Sequence, residues 1–357
     1  MLDFNATDYH SNSWSFIGAD CSIIKDWVLD CVKGKNLDFS SAYIDAFHGD
    51  KGSLHSGLNT EVLMYEVKGE MDTSSKLNPL ALRTAFNAQD CLLVNGNHYH
   101  AANQIVFIQE KKYKSLKKKV GRLNNVKAIV FLDQEELHDY LPEVLKKNIP
   151  TFKRDEIDAF AKWFAQQYQA PELYGLVLNG GKSSRMGSPK GEMKIHGEAM
   201  WRFAYHQLSE FTEQTFLSVK NGLDTLDVPV IKDQFLEMGV LGALLTAFQH
   251  HPNKAFLIVA NDNPALSKKT LEQLVACREP KAGATCAVNT SSNRKEPLYA
   301  IWEPKSRIAL MNALFSGNYK LSEVLENLEV NEVAVDDKYL ANINTPEDLK
   351  DYKSQQS

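Results

Sequence analysis

The sequence predicts an α/β protein of two domains with mostly parallel sheets. Three observations lead there. The chain has 357 residues, the length of about two ordinary domains. Short apolar runs alternate with amphipathic stretches, the pattern of strands covered by helices on both faces. The alternation breaks once, near residues 148–171, and then restarts.

In the N-terminal part, residues 15–19 (SFIGA) read as a short strand and 23–33 as the helix after it. Residues 41–47, 89–96, 103–109 and 126–133 are further strands. Lys147, Asn148 and Pro150 stop this run. Ile157, Phe160, Ala161 and Phe164 then fall at i, i+3, i+4 and i+7, which predicts one amphipathic helix over 153–168. Ala170–Pro171 ends it. The expected organisation is therefore a domain at 1–150, a linker helix within 151–171 and a second domain at 172–357. In the second domain, strands are expected at 174–178, 214–219, 228–233, 255–260, 284–288 and 298–302, with helices at 200–211 and 240–251. Ligands of such sheets bind at the carboxyl ends of the strands.

Composition narrows the function. Hydrophobic residues make up 43% of the chain and charged residues 24%, which excludes wholesale disorder. A formal charge of −5 gives no global attraction to nucleic acid or to an anionic membrane. No run approaches the roughly 20 apolar residues of a membrane span, and the first ten residues lack signal-peptide character. Cys21, Cys31, Cys91, Cys277 and Cys286 are odd in number and scattered, so they read as reduced thiols of a cytoplasmic protein.

The most informative segment is 178–190, LNGGKSSRMGSPK. It starts where an apolar strand ends. Gly180 and Gly181 let main-chain N–H groups approach a ligand. Lys182, Arg185 and Lys190 place cations beside them. Backbone donors with clustered positive charge suit a nucleoside triphosphate. The run is not a Walker loop, since GxxxxGK[ST] is absent. A Gly/Ser surface turn is the competing reading.

This run closely resembles LAGGxSxRMGxxK, the signature of the molybdenum cofactor guanylyltransferases (MobA-like) within the nucleotidyltransferase fold. The resemblance continues in order through 172–351. Residues 233–243 (DQFLEMGVLGA) resemble the family's D-x(n)-GPLxG segment, 259–264 (VANDNP) its xxDxP segment, 297–300 its PLxA strand and 342–348 (NINTPED) its NxNTPED motif. Asn179 stands for the usual Ala, Val240 for the Pro of GPL, and Asn263 sits between Asp262 and Pro264.

The resemblance implies a Rossmann-like fold for the second domain, Mg²⁺ as cofactor, and transfer of GMP from GTP to molybdopterin-bound molybdenum with release of pyrophosphate. By that resemblance Asp262 holds the metal, Lys190 stabilises charge on the α-phosphate, and Arg185 binds the outer phosphates or the acceptor. Leu178, Asn179, Gly180, Gly181, Asn221 and Asp233 complete the nucleotide pocket. Asn342 and Asn344 orient acceptor or metal. Paired Gly180–Gly181 and the Gly242–Ala243 pair favour GTP over CTP. Partners implied are GTP, the molybdopterin cofactor, and molybdoenzymes or cofactor-biosynthesis proteins, with no nucleic acid and no membrane. A cytidylyl or sugar-phosphate transferase and a non-catalytic molybdopterin carrier are the competing functions. The competing readings of single residues are local: a turn for Asp262 and Asn221, a solvated strand end for Asp233, helix caps for Asn342 and Asn344.

The first domain is weakly similar to the MobB-like GTPase partner of that family, with the layout of a degenerate P-loop fold. Laid on GxxxxGK[ST] from Gly18, the second Gly, Lys and Ser/Thr positions hold Ile23, Ile24 and Lys25. Asn95 stands where an acid is usual. No NTP hydrolysis is expected there. Residues 110–122 form a cationic segment, read as a solvated face or as an attractor of a phosphate-bearing pterin or acidic partner. His98 and His100 lack a neighbouring acid or cysteine in sequence to complete a metal set.

Overall fold

The computed structural model describes residues 5–33, 37–46, 60–66, 69–72, 86–142, 145, 149–179, 194–195, 197–220, 227–340, 343, 348 and 352. The chain forms two compact units, Met1–Gln169 and Ala170–Ser357.

The first unit holds β1 (Ser13–Ile17), β2 (Ser41–Ala46), β3 (Thr60–Glu66), β4 (Gly69–Asp72), β5 (Cys91–Asn95), β6 (Asn103–Ile108), β7 (Val126–Phe131) and β8 (Thr151–Lys153). They make one sheet in the order β4-β3-β2-β5-β1-β6-β7-β8. β3 pairs antiparallel with both β2 and β4; the other pairs are parallel. Helices α1 (Cys21–Lys33), α2 (Tyr113–Lys117) and α3 (Ile157–Ala165) accompany it. Alternate residues of β1 serve opposite faces. Trp14 and Phe16 meet Trp27, Phe160 and Phe164, whereas Ile17 packs with Val106, Leu116 and Ile129. The helix expected as a linker is thus part of this unit's core: Phe160 lies 4.5 Å from Trp27, centroid to centroid, and Phe164 lies 4.9 Å from Trp14. Thr151–Lys153, inside the same expected linker, is a strand parallel to β7. The aromatic stripe that predicted the helix is what holds it against the sheet, at about 1.5–3 kcal/mol for each buried ring.

The second unit holds β9 (Leu173–Leu178), β10 (Lys194–Ile195), β11 (Glu198–Ala199), β12 (Gln214–Val219), β13 (Val230–Lys232), β14 (Ala255–Ala260), β15 (Ala284–Asn289), β16 (Lys295–Trp302) and β17 (Val330–Val335). Its helices are α4 (Met200–Ser209), α5 (Gly239–His250), α6 (Lys268–Ala276), α7 (Arg307–Phe315) and α8 (Leu321–Glu326). Seven strands form a sheet ordered β13-β12-β9-β14-β16-β15-β17. Only β16 among these runs antiparallel to its neighbours. Leu176 and Leu178 face α5, α7 and α8, while Leu173 and Val177 face α4 and α6. Both faces are apolar, which explains the continuous hydrophobic runs. The register of β16 on β15 shifts between Cys286 and Ala287. Pro297, which has no N–H to give a ladder, sits in that part of β16, and its carbonyl accepts from Trp302 Nε1 at 3.2 Å.

One buried ion pair braces this unit. Arg278 donates from Nε to Glu303 at 2.7 Å and from a terminal nitrogen at 2.9 Å, and again to the Pro171 carbonyl at 2.7 Å. Glu303 is fully buried. Burial pushes its carboxyl up while the guanidinium pulls it down. Removing one partner strands the other in a low dielectric. Arg278→Ala is expected to cost about 3–5 kcal/mol in urea unfolding; a change within the range of neutral surface substitutions would show that the pair does not brace the unit.

Candidate active site

β13, β12, β9 and β14 are parallel neighbours, so their carboxyl ends share one edge of the sheet. Ser218, Leu178 and Ala260 pair across that edge in one row. The chain leaves β9 at Asn179, whose N–H donates to the Ser218 carbonyl at 3.2 Å. The Asn179 side-chain oxygen accepts from Asn261 Nδ2 at 2.5 Å. The Asn261 N–H in turn donates to the Leu178 carbonyl at 3.3 Å. Two loop entries, after β9 and after β14, are thereby fastened side by side. Asp262 is the next residue along β14's exit. Its carbonyl accepts from the N–H of buried Ile343 at 2.8 Å, which ties Ile343 to the exit of β14.

Asn263, between Asp262 and Pro264, has a structural task. It is buried, donates to the Tyr339 carbonyl at 2.8 Å and accepts from the Ala265 N–H at 2.9 Å. Tyr352 donates to the Pro264 carbonyl at 2.8 Å.

Asp233 closes the other end of the row. Its N–H donates to the Val219 carbonyl at 2.8 Å, and its carboxylate accepts from the Ser218 hydroxyl at 2.7 Å. The side chain is buried, and that burial raises its carboxyl above the usual range against the pull of Ser218 and Lys220. Three strand steps separate β13 from β14, about 14 Å at sheet spacing. Asp233 and Asp262 therefore cannot share one ion but can touch two ends of one extended ligand. The following loop folds onto α5: the Gln234 N–H donates to Thr246 Oγ1 at 3.0 Å. A Cβ on Gly242 would stand 2.2 Å from the Phe235 carbonyl oxygen. Gly242 is thus required by packing, which explains the Gly of its Gly–Ala pair without reference to a base.

Gly180, Gly181, Lys182, Arg185, Lys190, Asn221, Asn342 and Asn344 lie outside the described residues. Of the sequence-derived positions, Leu178, Asn179, Asp233 and Asp262 are described, and all four lie on this edge. Sequence reasoning missed Ser218, Asn261 and Glu296. Ser218 had a signal, a hydroxyl one residue from the end of an apolar strand. Glu296 lines a small pocket with Ala260, Asn263, Tyr299 and Leu340, and burial raises its carboxyl against the influence of Arg294. Among the described residues no group of three His, Cys, Asp or Glu is placed to hold a metal.

In the first unit, Ile24 is fully buried in the core, at the position a phosphate-binding Lys would need. Buried Asn95 donates to buried Asp45 at 3.0 Å, where an acid would set like charges together. Much of the cationic segment is engaged within the unit. Lys111 and Lys112 pair with Asp20, Lys119 donates to Asn97 at 2.8 Å, and Lys117 lies 5.8 and 5.6 Å from the Tyr113 and Tyr140 ring centroids.

Residues 175–333 match the MobA-like NTP transferase domain. A molybdenum cofactor biosynthesis bifunctional protein of Synechocystis is 31% identical over 181 residues, 49% of this chain and 52% of that protein. The chain thus spans about half the length of that relative. A probable molybdenum cofactor guanylyltransferase of Flavobacterium johnsoniae is 28% identical over 50% of this chain and 95% of its own length. The crystal structure of molybdopterin-guanine dinucleotide biosynthesis protein A from Archaeoglobus fulgidus superposes with a TM-score of 0.44 at 23% identity, over 51% of this chain and 97% of that one.

The raised Asp233 carboxyl has a measurable consequence. The folded protein holds this proton more tightly than the unfolded chain does, so stability falls as pH rises from the ordinary aspartate value of about 4 through the raised folded value. Asp233→Asn keeps an acceptor for Ser218 and removes the titration. Its urea midpoint is expected above wild type at pH 7, with the gain disappearing below pH 4. An equal gain at both pH values would contradict the burial argument.

Proposed function

Proceeding from a MobA-like NTP transferase domain in the second unit, we propose that the chain transfers GMP from GTP to molybdopterin-bound molybdenum, releasing pyrophosphate. The observation that carries this reading is the Asn179–Asn261 fastening. It sets the entrance of the glycine- and cation-rich loop beside Asp262, on neighbouring strand ends. The Synechocystis relative, a molybdenum cofactor biosynthesis protein, and the Flavobacterium relative, a probable molybdenum cofactor guanylyltransferase, support this choice of acceptor and guanylyl donor.

The chemistry asks for two things. An anionic acceptor phosphate must approach an anionic α-phosphorus in line with the leaving pyrophosphate, so charge must be neutralised and geometry held. In this reading Gly180 and Gly181 turn main-chain N–H groups toward the phosphates. Lys190 neutralises the α-phosphate, and Arg185 holds the outer phosphates or the acceptor. Leu178, Asn179 and Asn221 border the nucleoside, and buried Asp233 accepts hydrogen bonds from its far end. An electron-poor N–H edge such as that of guanine suits a carboxylate acceptor there. Asn342 and Asn344, the sequence neighbours of Ile343, orient acceptor or metal in this reading.

The donors fit Mg²⁺: a carboxylate oxygen of Asp262 and amide oxygens are hard ligands, and this ion is commonly held by one or two carboxylates plus substrate phosphates. When bound, Mg²⁺ would offset phosphate charge during transfer. Molybdoenzymes or cofactor-biosynthesis proteins would receive the product. A cytoplasmic location, where GTP is abundant, suits the reading. Among the described residues no helix is long and apolar enough to cross a membrane.

The test is pyrophosphate release from each NTP with Mg²⁺ and molybdopterin cofactor. GTP alone should support turnover, and Asp262→Ala should lower it by about a hundredfold or more. Preference for CTP or for sugar phosphates would move the protein to a cytidylyl or sugar-phosphate transferase. No release with any pair would leave a molybdopterin carrier.

A further inference from the structure

The first unit gathers a second constellation at the carboxyl ends of its central strands. β1 lies between β5 and β6, parallel to both. The turn after β1 contains Gly18, whose φ of 108° suits glycine and at which a Cβ would stand 2.3 Å from the Phe107 carbonyl oxygen. It delivers Cys21 as the first residue of α1. The turn after β5 brings Asn97 and His98 to the same place. It is strapped down twice: the Asn97 N–H donates to Asn95 Oδ1 at 3.0 Å, and Asn97 Nδ2 donates to the Ala19 carbonyl at 2.8 Å. Lys119 arrives from beyond β6 and donates to Asn97 Oδ1 at 2.8 Å.

These straps fix His98 over Cys21. His98 Nε2 is 3.3 Å from Cys21 Sγ, and Asn97 Nδ2 is 3.8 Å from the same sulfur. The thiol therefore has a base at hydrogen-bond distance, an amide donor beside it and an ammonium group in the next layer. Burial lowers the His98 imidazole below its ordinary value, with Lys119 and Arg122 acting in the same sense and Asp45 against them. The ring is thus available as a neutral proton acceptor. Cys21 is partly exposed, whereas Cys31, Cys91 and Cys286 are buried. Burial pushes the Cys31 and Cys286 thiols up to about 12 and the Cys91 thiol well above its ordinary value, which leaves all three unreactive. Cys277 is exposed and serves as an internal reference.

We propose that Cys21, with His98 as its base, is a nucleophilic thiol and a covalent modification site for small electrophiles, among them hydroperoxides. With a hydroperoxide, the sulfur attacks the distal oxygen. An S–O bond forms, the O–O bond breaks, sulfur is oxidised to the sulfenic acid and the peroxide is reduced to its alcohol or to water. The thiol proton passes to His98 Nε2 and then to the departing oxygen. With iodoacetamide an S–C bond forms, iodide leaves, and His98 takes the proton. The proposal concerns the first unit alone and does not depend on the transferase reading of the second.

The experiment is timed labelling of the full-length protein with iodoacetamide at pH 7, read by peptide mass spectrometry. Cys21 is expected to react about tenfold faster than Cys277, or more. His98→Gln is expected to remove that advantage and leave the Cys277 rate unchanged. A limiting dose of hydrogen peroxide should then give a dimedone adduct at Cys21 and none at Cys277. Cys21 labelling no faster than Cys277 would overturn the proposal, as would a Cys21 rate unaffected by His98→Gln. Labelling of Cys31 and Cys91 reports unfolding of the variant; should it occur, the wild-type ratio of Cys21 to Cys277 decides by itself.

Discussion

Parallel pairing is the constraint on which both units rest. Once β9, β12, β13 and β14 run the same way, every one of their exits opens on one edge, and no side chain needs to be carried there by a long loop. What remains is to keep the exits in register. The main chain does part of this through the Leu178, Ser218 and Ala260 row. The Asn179–Asn261 pair does the rest, by joining the two exits that carry the loop and the acid. A short amide pair suits this position because it adds directional contact without adding charge beside Asp262.

The same architecture serves opposite ends in the two units. In the second, the loop after β9 carries paired glycines and cations. In the first, the turn after β1 has one glycine and then a side chain, Ile24, that belongs to the core. A phosphate cannot displace a buried isoleucine at tolerable cost. The polar groups there satisfy one another instead: Asn95 with Asp45, Asn97 with Ala19 and Lys119, Asp20 with Lys111 and Lys112. The cationic segment, read as a solvated face or as an attractor of an anion, contributes much internal bracing, and the chemistry left over is a thiol beside an imidazole.

The doubly wound class and the inner strands of both sheets were legible in the sequence, because strands buried on both faces must be apolar throughout. Leu178, Asn179, Asp233 and Asp262 were singled out through the family resemblance, with Asp262 also read as following an apolar strand; that they border one edge needed the strand order. The antiparallel strands Thr60–Glu66 and Gly69–Asp72 were not legible, since their alternation is interrupted by acids. The linker helix was read correctly as a helix and wrongly as a connection. Amphipathic periodicity says that a face is buried but never against what; here it is buried against Trp14 and Trp27, far away in sequence. The His98–Cys21 contact spans 77 positions and has no local signature at all.

The buried acids show why such sites have to be held rather than merely placed. Glu303 is fully buried and meets a bidentate guanidinium, so its charge is matched inside the fold. Asp233 is buried against the neutral Ser218 hydroxyl, and its proton affinity rises accordingly. A fold selected for stability alone would favour the first arrangement at both positions. The second makes sense where a further donor is to come from a ligand, because the cost of the buried carboxylate in the free protein is offset when that donor arrives. By this reasoning the Asp233 end of the edge, as well as the Asp262 end, is where the proposed transferase function would distinguish one nucleotide from another.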